Sequence, residues 1–284
     1  MKSRKEIRKT SEKNRDKQQV DNPFPGWDAL EKERAEEAPY LLFTVKDGNG
    51  TIVNHVKAPA KKGIHRVNWD LRHASQRVTT SSSVSGFRGA SDGFMATPGS
   101  YSVTMYAVQD GQAKQLGEKQ SFEVKPLYEG VLEASTAAEI DKFRLELEAL
   151  QREYGKVSSS LKKAEERVKA MKQACLKLDR DTPGLLARVH EAEAEVIKLD
   201  LQLNGNQSKQ EVGEKEIPLP GTRMMVASRG LSTTYGPTDL HLESLRLAME
   251  ELAPVKEGVE ELTGQLLPEL EKALVAAGGP WITD

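Results

Sequence analysis

The sequence predicts an α+β multidomain chain: an immunoglobulin-like antiparallel β-sandwich followed by an antiparallel three-helix bundle. Three observations carry this. Residues 39–126 break into short runs rich in Val, Thr and Tyr, separated by turns of Gly, Asn and Asp. From Ile140 to Leu178 apolar residues recur at alternating steps of three and four. The length, 284 residues, suits about two domains.

In order along the chain, residues 1–38 read as a charged linker. The opening MKSRKEIRKTSEKNRDKQQV holds eight Lys/Arg against three Asp/Glu and no apolar stretch, so it does not read as a secretory signal. It fits a solvated linker or frayed helix, or a tail for nucleic acid or a membrane surface. After NPFPGW, the piece DALEKERAEEA predicts a short helix capped by Asp28.

Residues 39–126 read as the sandwich. YLLFTVK alternates, DGNG supplies a hairpin turn and TIVNHVK returns. APAKKG turns into a third strand, IHRVNWDL. SYSVTMYAV and QSFEVKP follow, joined by QDGQ. Because side chains alternate along a strand, His65, Val67, Trp69 and Leu71 share one face, with Trp69 in the core and His65 at its rim. Arg66, Asn68 and Asp70 take the other face, which separates the polar groups a catalytic constellation would need together. The long Ser/Gly-rich segment from Ala74 to Thr97 carries Phe87, Arg88, Phe94 and Met95. These four fit either a ligand or partner surface or a cover over an open sandwich edge.

Residues 127–284 read as the helical bundle, with an irregular insert at about 205–237. The first seam is Ile140, Phe143, Leu147, Leu150, Tyr154, Val157, Leu161, Ala164, Val168, Met171, Cys175 and Leu178. DRDTPG stops it, with Asp181 or Thr182 capping the next helix and Pro183 in its first turn. That helix carries Leu185, Val189, Ala192, Val196, Leu199 and Leu203 and ends at Asn204-Gly205. The third seam is Leu242, Leu245, Met249, Leu252, Val255, Val259, Leu262, Leu266 and Leu270, kinked or divided by Pro254 and Pro268. Short connections favour an intramolecular bundle over a coiled-coil dimer. Cys175, the one cysteine, lies on the seam and reads as a small buried hydrophobe; a disulfide framework within the chain is excluded.

Composition excludes further classes. Net charge is −2 and mean hydropathy −0.57, so no global field favours nucleic acid, which is not expected as a partner, and no apolar run reaches the ~20 residues of a membrane span. No phosphate-binding Gly loop, dinucleotide fingerprint, C-x-x-C or H-E-x-x-H occurs. The five histidines, 55, 65, 73, 190 and 241, are scattered, and DGNGT is only a faint echo of a calcium loop. No catalytic, cofactor-binding or metal-ligating residue is assigned, and no cofactor is expected.

KAPAKKGIHRVNWDLRH followed by ATPGSYSVTMYAV resembles the immunoglobulin-like domain of flagellar hook-capping proteins, with its G-x-H-x-V-x-W-D strand and P-G-x-Y-x-V. Residues 21–284 are similar to the C-terminal region of bacterial sortilin-like β-propeller proteins, often labelled glycosyl hydrolases with BNR-type repeats. There, a P-x-W-D linker (here Pro25–Asp28) leads from the propeller into the immunoglobulin-like domain and a helical region ending in G-x-P-W-T (here Gly278–Thr283, with Ile282 inserted). FEVKPL also fits. The sequence contains no propeller blades, and no residue matches a hydrolase motif. The resemblance implies a non-catalytic accessory module that braces or presents a propeller, or binds a protein or glycan. It also implies an exported parent, whereas the visible N-terminus reads as cytoplasmic. Two rival readings are the tail of a secreted glycosidase whose active site lies in a propeller, and a coiled-coil adaptor.

Overall fold

A computed structural model of the chain describes residues 1–77, 79, 93–127, 130, 133–178, 184–215 and 217–282. The protein is mixed, with a four-stranded antiparallel sheet and a set of helices. It divides into two compact units. Unit 1 comprises Met1–Ser75 and Phe87–Glu129, and unit 2 comprises Gln76–Gly86 and Gly130–Asp284.

Unit 1 is built on β1 (Tyr40–Asp47), β2 (Ile52–Pro59), β3 (Gly99–Gln109) and β4 (Gln112–Val124), in the spatial order β2-β1-β3-β4. Both hairpin turns follow from their residues. In the first, Asp47 Oδ1 accepts the N–H groups of Asn49 (3.0 Å) and Thr51 (2.8 Å), so DGNGT is a side-chain-closed hairpin turn. In the second, Asp110 and Gly111 both take positive φ, 49° and 74°, the twist that a two-residue hairpin needs. The core gathers Val45, Val53, Ala96 and Tyr101, with Trp69, Val103 and Val124 against it.

IHRVNWDL departs from the expectation. It forms no ladder, and the described residues hold one sheet where a sandwich has two. Its one nearby pairing is an isolated bridge between Arg72 and Met95. Alternation specifies which side chains share a face, but a strand also needs a neighbour for its backbone. Here Ile64, His65, Arg66, Asn68 and Asp70 stay exposed, where water satisfies the backbone groups. Leu71 has φ of 59° and leaves the alternating row. Trp69 is half-buried, not fully enclosed.

The segment read as a charged linker contains two helices, α1 (Arg4–Lys17) and α2 (Trp27–Ala35). Ser3 and Glu6 form a reciprocal capping box at the start of α1. Gly26, with φ of 87°, sits at the cap of α2, and Asp28 lies inside the first turn, where its charge favours the helix dipole. A two-pronged pair joins the helices: Arg8 Nε and Nη2 donate to the Glu33 oxygens at 2.7 and 2.9 Å.

Unit 2 contains α3 (Ala137–Cys175), α4 (Leu185–Asn204), α5 (Gln207–Glu211), α6 (Pro220–Arg229), α7 (Asp239–Glu261) and α8 (Leu267–Ala276). The stretch read as an irregular insert thus holds α5 and α6. Since α6 packs on α7 and α3, the packing exceeds three helices. Along α3 the seam from Phe143 to Met171 is buried as expected, apart from half-buried Tyr154. Beyond it Ala174 is buried and Cys175 is only partly so. A strict seven-residue repeat drifts about 20° per heptad on a straight α-helix, which moves the buried row by one position over this length. Gly184 caps α4, while Asp181, Thr182 and Pro183 lie outside the described residues.

Pro254 lies within α7. A π turn, Leu262–Leu266, joins α7 to α8. It closes through the Leu267 N–H to the Leu262 carbonyl, next to Pro268, which has no N–H to offer. The extra residue makes Leu267 the buried position, in place of the expected Leu266.

Candidate functional site

On unit 1, the segment from His65 to Trp69 and the sheet enclose an open apolar groove of about 310 Å³. Phe43 and Val45 of β1, Val56 of β2, Val103 of β3 and Phe122 of β4 line one side. His65, Val67 and Trp69 line the other, so their shared orientation survives without a strand ladder. At one end three rings meet. Trp69 lies 5.4 Å from Tyr101 and 6.0 Å from Phe122, and Tyr101 stacks on Phe122 at 6.0 Å.

A polar frame holds this wall. Trp69 Nε1 (2.8 Å) and Asn54 Nδ2 (2.9 Å) both donate to the Arg72 carbonyl. The Arg72 guanidinium donates to the Gly93 carbonyl at 2.9 Å, and the Tyr101 hydroxyl to that of Thr97 at 2.6 Å. The Ala74 N–H reaches the Val53 carbonyl of β2 at 2.8 Å, anchoring the segment to the sheet edge. With mouth and wall mostly apolar, the groove is suited to burying an apolar side chain or ring. Among the described residues His65, exposed at the rim, is its one titratable lining residue, and its Nε2 lies 3.0 Å from the Lys61 carbonyl.

Of the four surface candidates, Phe87 and Arg88 lie outside the described residues. Phe94 is half-buried, and its carbonyl accepts the His73 N–H at 2.8 Å. Met95 is 53% exposed and opposite Arg72. Neither lines the groove. Tyr101 and Phe122 were missed as site residues, although their alternation within SYSVTMYAV and QSFEVKP placed both in strands.

The remaining histidines are separate. His55 contacts Thr44, His190 contacts Glu193 on α4, and the His241 ring accepts the Thr238 N–H at the start of α7. Among the described residues, no group of three His, Cys, Asp or Glu is placed to hold a metal, and no helix is long and apolar enough to cross a membrane. In unit 2, burial pushes the Cys175 thiol up, away from the thiolate that a nucleophile needs. Also in unit 2, Pro268, Val275, Pro280 and Trp281 border a second apolar surface on which Trp281 is 81% exposed.

No family model, curated protein or solved structure matches the chain.

Proposed function

We propose that this chain is a non-catalytic interaction module that docks a protein partner in the groove of unit 1. The observation that supports it is the groove itself: an open apolar cleft ending in the ring cluster of Trp69, Tyr101 and Phe122. In this reading unit 1 is an immunoglobulin-like sandwich whose second layer includes residues 64–72, and unit 2 is a bundle that carries it. The partner is a β-propeller of the sortilin-like class, as the resemblance of KAPAKKGIHRVNWDLRH and ATPGSYSVTMYAV implies.

Calorimetric titration of the purified chain with a purified sortilin-like propeller tests the reading. Binding is expected, weakened at least tenfold by Phe122→Ser, which removes about 1.4 kcal/mol or more. The variant's thermal midpoint must show that unit 1 remains folded. No binding, equal binding by the folded variant, or glycoside hydrolysis by the homogeneous chain would each overturn the proposal.

A further inference from the structure

The net charge of −2 hides an uneven distribution. Unit 1 is net positive and unit 2 net negative, and the densest cationic run is α1. All three acidic residues of α1 are engaged close by. Glu6 closes the capping box, Glu12 accepts from Arg8 at 2.6 Å, and Asp16 accepts from Asn22 at 2.6 Å. Two of its arginines are already paired, Arg8 inward to Glu33 and Arg4 at the surface to Asp110 at 3.1 Å. Among the described residues Lys5, Lys9, Lys13 and Lys17 have no ion-pair partner, and all are exposed.

Helical periodicity sorts these groups. The partly buried positions Arg8, Glu12 and Arg15 define the packed side. At 100° per residue the i,i+4 row winds round the helix: Lys17 and Lys13 lie on the side opposite, Lys9 about a quarter-turn from the packed side, and Lys5 beside it, successive members about 6 Å apart along the axis; Lys5 and Lys9 also help to lower the Glu33 carboxyl. The capping box and the Arg8–Glu33 pair hold this ridge in place before any partner arrives.

We propose that this ridge of α1 binds the phosphodiester backbone of nucleic acid without reading sequence. Charge complementarity names an anion, and two observations choose among anions. Ile7 is the one large apolar side chain within α1, so the helix has no apolar face to sink into a bilayer. Protein interfaces are depleted in Lys, whereas phosphate contacts are made by Lys and Arg. No aromatic side chain lies on α1 to stack on bases, so the contact is electrostatic.

The test uses the full chain and a fluorescein-labelled duplex of about 20 base pairs, followed by anisotropy from roughly 50 to 200 mM salt. Counterion release predicts that log affinity falls linearly with log salt, with a slope of about −3 to −4 for this set of lysines. K9Q/K13Q/K17Q should reduce the slope by roughly 3 and weaken binding at low salt more than tenfold. K162Q/K163Q, the same change on exposed lysines of unit 2, should leave the slope as it is. Circular dichroism of the triple variant confirms that α1 persists, because Gln is a good helix former. The proposal falls if the wild-type chain does not bind at low salt. It also falls if the triple variant keeps the full slope, or if vesicles rich in phosphatidylserine bind more tightly than the duplex.

Discussion

The indole N–H of Trp69 donates to the Arg72 carbonyl at 2.8 Å, and this one bond sets the ring across the groove of unit 1. The same carbonyl takes a second bond from Asn54 of β2, so the covering segment is tied to the sheet through one oxygen. Trp69→Ala should destabilise unit 1 by about 2–4 kcal/mol, somewhat below a fully enclosed Trp because the ring is half-buried. Trp69→Phe keeps a ring and leaves the carbonyl its Asn54 donor, so it should cost about 1–2 kcal/mol. Urea denaturation followed by far-UV dichroism ranks the two, and a Trp69→Phe variant as stable as the wild type would show that the indole N–H contributes nothing.

Gly236 and Gly264 should respond in opposite directions to alanine. Gly236 has φ of 84°, and an added Cβ would come within 2.9 Å of Ser135 Cβ. Both effects destabilise, so Gly236→Ala should cost about 1–3 kcal/mol. Around Gly264 no atom lies within 4 Å of such a Cβ and the backbone is helical, so Gly264→Ala should gain about 0.5–1 kcal/mol. Thermal midpoints of the two variants should move to opposite sides of the wild type.

On α3, Arg144 Nη1 donates to Glu148 at 2.9 Å, and both side chains are buried. Burial pushes the Glu148 carboxyl up, and Arg144 offsets this only in part. A carboxyl raised in the folded state holds its proton there more firmly than in the unfolded chain. Its contribution is therefore fully present below the ordinary value of 4.5 and is lost as pH rises through the raised value. Glu148→Gln should remove that part of the pH dependence. Arg144→Met strands the buried carboxylate and should cost about 3 kcal/mol near neutral pH. Chemical denaturation across pH reads both effects.

Glu153 works in the opposite sense. It accepts from Lys156 at 2.8 Å and from Lys256 of α7 at 2.9 Å, and these bonds pull its carboxyl down to about 2. The stabilisation is present above 4.5 and is lost as pH falls towards 2. The group is about one-third exposed, so solvent screening limits its worth to about 1 kcal/mol or less. Glu153→Gln should remove the acid-side loss, and molar salt should shrink the difference between variant and wild type.

The helical unit was the more legible of the two. A seam such as Phe143–Leu147–Leu150 reports burial directly, because helix geometry is local and needs no distant partner. Arg144 and Glu148 were illegible, since charged side chains read as a solvated face until each is seen to neutralise the other in the core. In the β unit, the turns at Asp47 and Asp110 could be read from residue chemistry, and the facing of Val67 and Trp69 from alternation. The absent ladder at Ile64–Leu71 could not, because pairing depends on what another part of the chain supplies. Nor could the groove, whose ring cluster joins Trp69 to Tyr101 and Phe122 across long sequence separations.

The π turn at Leu262–Leu266 has a consequence for how this helix tolerates change in length. The buried positions Val255, Val259 and Leu262 advance by four and three, then by five to Leu267, then resume with Leu270 and Leu274. The helix therefore carries one residue more than its apolar row requires. Removing Gly264 would return the turn to ordinary winding and leave both halves facing the core, whereas a single deletion within α7 would swing one half round by about 100°. This turn is the one place along α7 and α8 where the chain has slack, and length variants that survive selection should collect there.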